Sequence, residues 1–287
     1  INFNMPKVWY VALIGRPNAG KSTLLNALIG EKVSAISHRP QTTQRSIPGI
    51  FTDEEKGVQI VFLDTPGIHE SEESMNHRIN NEAFASLREA DVVVRLLDPT
   101  RPYGDEDRRI DTVLASVPKP VLRIETKQDL SKGYLQKDID LRIDSVARIG
   151  FEELIAKITE LLPEGPYLYE SDYYTDQPMD LRISEIVREV LFFFFLDEIP
   201  YASYVEIGSI EKGESLLKTQ VYINVESDSQ KIIVIGKWGK KIQRIGTEAR
   251  LVLENIFGMK VFLALRVKVH KNWRKNEKVL EKIFPKR

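Results

Sequence analysis

The chain has 287 residues, 42% of them hydrophobic, which is enough for two folded cores. It has no cysteine, so disulfides and thiolate-held metals are excluded, as a reducing cytosol would allow. The net charge of −1 hides an asymmetry: residues 231–287 hold sixteen Lys/Arg against four Asp/Glu, a balance of +12 that leaves −13 on the first 230 residues. The four histidines (His38, His69, His77, His270) show no ligand spacing. No secretory leader is visible and no apolar run reaches spanning length; the seven residues from Val190 to Leu196 read as the buried end of a helix.

In chain order, Val8 to Ile14 is an apolar run of strand length, and Lys21 to Ile29 sets Leu24, Leu25 and Leu28 at helical spacing. Between them lies Gly15-Arg16-Pro17-Asn18-Ala19-Gly20-Lys21-Ser22, followed by Thr23. A bound triphosphate needs backbone N–H donors curled around its oxygens, a fixed cation and a magnesium ligand. Gly15 and Gly20 permit the turn, the helix presents its positive end, Lys21 reaches the outer phosphates, and the Ser22 hydroxyl suits magnesium. The strand before and the helix after argue against a chance match.

Arg39-Pro40-Gln41-Thr42-Thr43-Gln44 is a polar segment whose hydroxyls suit a metal and a terminal phosphate. The strand-like Val58 to Leu63 then ends in Asp64-Thr65-Pro66-Gly67. Alone this tetrapeptide is ordinary turn chemistry. Some forty residues after a phosphate loop, it places a carboxylate for magnesium and a glycine N–H for the terminal phosphate. Two further strand-like runs, Val92 to Leu97 and Val121 to Glu125, carry Arg95, Arg123 and Glu125, charges unusual in buried parallel strands. A pair between Arg95 and Glu125 would explain them if the two side chains face each other.

The alternation of strands and helices predicts a doubly wound α/β domain over residues 1–165, with a mixed, mostly parallel sheet. Residues 166–178 read as an ordered or semi-ordered connector. Residues 179–287 predict an α+β domain: a helix from Arg182 to Leu196, strands near Tyr204 to Ile210 and Leu216 to Val225, a helix from Lys240 to Ile256 and a strand from Val261 to Val269. Between an apolar run and the basic helix stands Gly236-Lys237-Trp238-Gly239-Lys240-Lys241, with Arg244 beyond. Two glycines so spaced let the backbone approach a nucleic-acid strand, with lysines to its phosphates and Trp238 either stacked on a base or packed beneath the loop.

Taken in order, the G-R-P-N-x-G-K-S loop, the P-Q-T-T segment, D-T-P-G and the later G-x-x-G resemble the Era family of bacterial GTPases along nearly all the chain. The resemblance implies a P-loop GTPase domain followed by a type II KH domain, binding and hydrolysis of GTP to GDP, and an RNA partner at the 3′ end of 16S rRNA during 30S subunit assembly. It also implies a cytoplasmic monomer; a peripheral membrane contact reported for relatives has no mark in these residues. By the same resemblance, Ser22, Thr43 and Asp64 hold Mg2+, with Thr42 second choice to Thr43. Asn18 stands where related GTPases hold K+; the alternative is a turn residue favoured by its local hydrogen bonding. Lys21, Thr43, Asn18 and Gly67 are the catalytic candidates. Ile68 occupies the position of a glutamine that positions water in many small GTPases, and it cannot do that work, so slow turnover is expected.

Thr126-Lys127-Gln128-Asp129 stands where the family usually has Asn-Lys-x-Asp. Asp129 remains able to accept from guanine and Lys127 to cover the base, while the missing carboxamide predicts weakened contacts to base or phosphate loop. Ser145 and Val146 are a blurred version of the last nucleotide element. These departures keep a second reading open, an RNA-binding module whose pocket no longer turns over. An ATP-using phosphate-loop enzyme is opposed by Asp129.

Overall fold

The computed structural model describes residues 5–37, 39, 42–68, 74–130, 132–134 and 138–285. The chain divides between Asp176 and Gln177 into two compact units. In the first, a six-stranded sheet is built from β1 (Lys7–Ile14), β2 (Ile47–Asp53), β3 (Val58–Asp64), β4 (Val92–Leu97), β5 (Val121–Glu125) and β6 (Leu141–Arg142). The strand order is β2-β3-β1-β4-β5-β6, and every pairing is parallel except that of β2 with β3. Consecutive residues Val11 to Ile14 are all wholly buried, so both faces of the sheet are covered. On one face Ala83 and Leu87 of α2 (Ser74–Glu89) and Ile110 and Leu114 of α3 (Asp105–Ala115) pack on Ala12, Ile14 and Val93. Two more helices, α1 (Lys21–Ile29) and α4 (Phe151–Leu161), complete the unit.

β2 carries little strand signal because Pro48 and Gly49 interrupt it, and both have physical reasons. A proline is tolerated on an edge strand, where a lost N–H breaks no ladder. A Cβ on Gly49 would lie 2.6 Å from Leu25 Cδ1 of α1, so glycine lets helix and strand meet without displacing that side chain.

Residues 166–176 belong to the first unit. The wholly buried Gln59 of β3 fastens them: its Oε1 accepts from Leu168 N (2.8 Å) and Tyr169 N (3.0 Å), and its Nε2 donates to Tyr169 O (2.9 Å). Ile50 N of β2 donates to Tyr174 O at 2.9 Å.

The second unit runs α5 (Met179–Phe194), β7 (Ser203–Lys212), β8 (Leu216–Val225), α6 (Asp228–Ile235), α7 (Lys240–Phe257), β9 (Lys260–Val269) and α8 (Glu277–Ile283). β8 is central, antiparallel to β7 and parallel to β9. Ile183, Val187 and Leu191 of α5 share a core with Val221, Ile223, Ile245 and Leu253. The phenylalanine run is split by helical geometry: Phe192 and Phe195 are buried, whereas Phe193 is exposed. Where the sequence reads as an apolar run before the glycines, the chain forms α6, capped by Ser227 Oγ accepting from Gln230 N. Among the described residues no helix is long and apolar enough to cross a membrane.

Candidate nucleotide site and nucleic-acid loop

The phosphate loop turns at Asn18 (φ 62°) and Gly20 (φ 94°), left-handed positions that curl backbone N–H groups into one concavity. Lys21 folds back over it, its Nζ donating to Gly15 O (3.0 Å) and Arg16 O (3.1 Å). Burial pushes its pKa down from 10.5 to about 8, against the opposing pull of the Asp64 carboxylate. An anion in the concavity would relieve that desolvation.

Beside it lies a corner of hard oxygen donors. Ser22 Oγ donates to Asp64 Oδ2 at 2.6 Å and meets Thr43 Oγ1 at 3.2 Å. Asp64 is wholly buried and its Oδ1 has no hydrogen-bond partner. Burial raises its pKa, with Lys21 and nearby hydroxyls pulling the other way. A buried carboxylate with an orphaned oxygen beside two hydroxyls fits Mg2+, which takes oxygen ligands. Thr42, by contrast, turns its hydroxyl to Arg39 O at 3.0 Å.

Gly67 brings β3's trailing segment against the phosphate loop. A Cβ there would lie 2.8 Å from Pro17 Cγ and 2.9 Å from Pro17 N. Gly67→Ala should therefore push the two segments apart and slow hydrolysis on the order of 100-fold while costing about 1–3 kcal/mol of stability; single-turnover phosphate release and thermal unfolding check the two effects.

The base-recognition segment faces the same cavity, of about 490 Å³. Thr126 is buried, its Oγ1 donating to Ala19 O (2.8 Å) and lying 3.2 Å from Leu97 O. Lys127 adopts φ 52° and extends its Nζ to Asp98 Oδ2 at 3.0 Å. Asp129 is exposed at the cavity wall, and Ser145 and Val146 line its far end in a turn held by Asp144 Oδ1, which accepts from Val146 N and Ala147 N.

A cluster of buried and half-buried charges joins β4 and β5 to α3. Arg95, wholly buried, donates to Asp107 Oδ1 (2.8 Å) and Asp111 Oδ1 (3.1 Å) of α3. Arg16 NH1 donates to Asp107 Oδ2 at 2.8 Å. Arg123 lies beside Arg95 in register and reaches Asp111 at 3.5 Å. Removing one partner of such a buried pair costs about 3–5 kcal/mol.

In the second unit the loop of Gly236 to Gly239 has all its strain at three residues. Gly236 (φ 70°), Trp238 (φ 57°) and Gly239 (φ 71°) are left-handed, and a Cβ on Gly236 would lie 2.6 Å from Lys241 Cβ. Trp238, a large side chain in a conformation that disfavours it, is 85% exposed. Lys237, Lys240 and Arg244 are also exposed; Arg244 lies over the Phe194 ring and Lys241 over Phe195.

Residues 10–127 match the protein family described as "50S ribosome-binding GTPase", and residues 198–274 match the family described as "KH domain". GTPase Era of Caldanaerobacter subterraneus subsp. tengcongensis is 41% identical over 289 residues, covering 96% of each chain. The chain belongs to the Era GTPase family. A solved structure of Aquifex aeolicus Era bound to GDP and AlF4− superposes with a TM-score of 0.90 at 35% identity, covering 97% of this chain and 99% of that one. A second, Era with MgGDPNP and nucleotides 1506–1542 of 16S ribosomal RNA, also gives 0.90 at 35% identity, covering 98% and 99%. The fold is thus that of Era, a P-loop GTPase unit followed by a KH domain, and this member is a GTPase.

Within this Era framework the sequence candidates separate by position. Pro17, Asn18, Gly20, Lys21, Ser22, Thr23, Thr43, Thr65, Gly67, Thr126, Lys127, Asp129, Ser145 and Val146 line one cavity. Gly15, Ala19, Asp64 and Pro66 do not line it. Three side chains point elsewhere. Arg16 faces α3, because its charge needs Asp107. Ile68 is buried among Ala12, Ile14 and Ala83, because an aliphatic chain prefers the core. Gln128 turns to Glu125 Oε1 at 2.8 Å.

One reading is corrected. Arg95 and Glu125 do not pair, since Arg95 lies opposite Arg123 in register and Glu125 instead meets Arg142 at 3.2 Å. At Thr126, where the carboxamide is missing, the hydroxyl makes one contact to the phosphate loop, at Ala19 O. Asp98, Thr100 and Arg101, which also line the cavity, were legible only as the segment after a parallel strand's carboxyl end. Pro40 and Gln41 of the polar segment, residues 69–73 and His38 lie outside the described residues.

Proposed function

We propose that this Era-family GTPase binds GTP with Mg2+ and K+ in the cavity above the phosphate loop, and single-stranded RNA at the glycine loop of its KH domain. The RNA is the 3′ end of 16S rRNA, and the process is 30S subunit assembly. The observation that carries the nucleotide half is the corner of Ser22, Thr43 and the orphaned Asp64 oxygen beside a buried lysine. For the RNA half it is the exposed Trp238 held in a left-handed conformation among lysines. The solved Era with a 16S rRNA fragment supports the same RNA for this chain.

In this reading Ser22, Thr43 and Asp64 would hold Mg2+, which when bound would supply positive charge beside the phosphates. Lys21 leaves its two loop carbonyls for the outer phosphates. The phosphate-loop N–H groups and Gly67 N–H orient the terminal phosphoryl group for attack by water, releasing GDP and phosphate. Ile68 offers no group to that water, so backbone around Thr43 and Gly67 positions it. Asn18 would hold K+, which when bound would supply a second positive charge beside the phosphates.

A purified sample should bind a fluorescent GDP that unlabelled GDP displaces and ADP does not, and should release phosphate from GTP slowly. Release should be faster in potassium than in sodium at matched ionic strength. Equal rates would remove K+ and Asn18 from the account; binding without release would favour an RNA module with an idle pocket. Replacing Lys237 and Trp238 with Asp should weaken single-stranded RNA binding and flatten its salt dependence by about one to two counterions. Unchanged binding at moderate salt would move the RNA elsewhere.

A further inference from the structure

We propose that Asp107 is a positioning residue for the phosphate loop, fixing through Arg16 the backbone that meets the phosphates. The proposal rests on the phosphate-loop reading of the cavity.

Asp107 does not line the cavity, yet its carboxylate is almost fully buried and fully engaged. Oδ1 accepts from Arg95 NH2 (2.8 Å); Oδ2 accepts from Arg16 NH1 (2.8 Å) and Gly104 N (3.1 Å). Arg95 rises from the parallel strand β4, which is paired on both sides in the sheet, so the carboxylate is anchored to the sheet interior. Arg16, the second residue of the phosphate loop, is held by more than this carboxylate. It donates to the carbonyls of Asp98 (3.1 Å) and Pro102 (3.2 Å). A guanidinium cannot shed its charge and presents its donors in a fixed plane, so holding both terminal nitrogens holds the residue that bears them. The Arg16 carbonyl in turn accepts from Lys21 Nζ. Sheet, helix and loop are therefore joined through one carboxylate, and a shift of it moves the loop.

Asp111 provides the comparison. It belongs to the same cluster and bonds Arg95, Arg123 and the Tyr103 hydroxyl (2.6 Å), one turn further along α3 and away from Arg16. A merely structural role predicts that both aspartates act alike.

The test compares GDP affinity and thermal midpoint in Asp107→Asn and Asp111→Asn, with affinity measured well below both midpoints. Asp107→Asn should bind GDP about 10- to 100-fold more weakly, at an unchanged ratio of GDP to XDP affinity, while Asp111→Asn should lower the midpoint and leave GDP affinity within about twofold. Affinity losses that track lost stability in both variants, or a parental affinity in Asp107→Asn, would overturn the proposal. Should Asp107→Asn fail to fold, Asp107→Glu is read by the same criteria, since it keeps the charge and displaces Arg16 by a methylene. A parent protein that binds no GDP would overturn the reading of the cavity itself and this proposal with it.

Discussion

Lys21→Ala should abolish most GTP hydrolysis, by about 100- to 1,000-fold, because it removes the buried cation of the phosphate loop, placed to meet charge that grows on the phosphates in the transition state. The same residue predicts how the parent responds to pH. Burial lowers the Lys21 pKa to about 8 in the free protein, and bound phosphates favour its charged form. Nucleotide binding therefore takes up a proton above pH 8, and GDP affinity should fall about tenfold between pH 7 and 9. Free-protein stability moves the opposite way. Between pH 8 and 10.5 the unfolded chain binds more protons at this site than the folded one, so the Lys21 contribution to stability rises with pH there. Calorimetry of GDP binding in two buffers of different ionisation enthalpy measures the proton uptake; pH-independent affinity over this range would show that the ammonium does not meet the phosphates.

Asp129→Asn should exchange guanine for xanthine preference. Asp129 is exposed on the turn of Gln128–Leu130 at the cavity wall, where an acceptor-only carboxylate pairs with two adjacent N–H groups of guanine. Hydrogen bonds to a charged group contribute about 1.5–3 kcal/mol, so GDP should bind about 10- to 150-fold more weakly and XDP correspondingly better. Competition of GDP, XDP and ADP against a fluorescent nucleotide reads the exchange. Unchanged GDP affinity would show that another residue reads the base. The phosphate-loop contact of Thr126 should leave phosphate binding intact in this variant, since it is made through Ala19 O rather than through the base.

Much of the nucleotide site was legible before any coordinates because its chemistry is contiguous in the chain. Gly15 to Ser22 carries turn, cation and metal hydroxyl within eight residues, and Asp64 to Gly67 carries carboxylate and close-approach glycine within four. The KH unit was similarly visible in its glycine pair and basic helix. The choice between Thr42 and Thr43 was not, because neighbouring hydroxyls are equivalent on paper; the backbone turns one to Ser22 and the other to Arg39 O. β2 was obscured by Pro48 and Gly49, residues whose usefulness depends on an edge position and on Leu25. Trp238 could have stacked outward or packed inward, and its left-handed backbone sends it into solvent.

By itself, the sequence determined that this chain is an α/β phosphate-loop GTPase joined to an RNA-binding unit, since motif identity and hydrophobic periodicity are properties of consecutive residues. Only the tertiary structure decided what those motifs rest on. Arg16 finds Asp107 at 91 positions' remove, Thr126 finds Ala19 at 107, and Gln59 fastens Tyr169 at 110. Such pairings follow from strand order and register, which place residues side by side irrespective of their spacing in the chain, and a buried charge or amide takes whichever partner that register delivers.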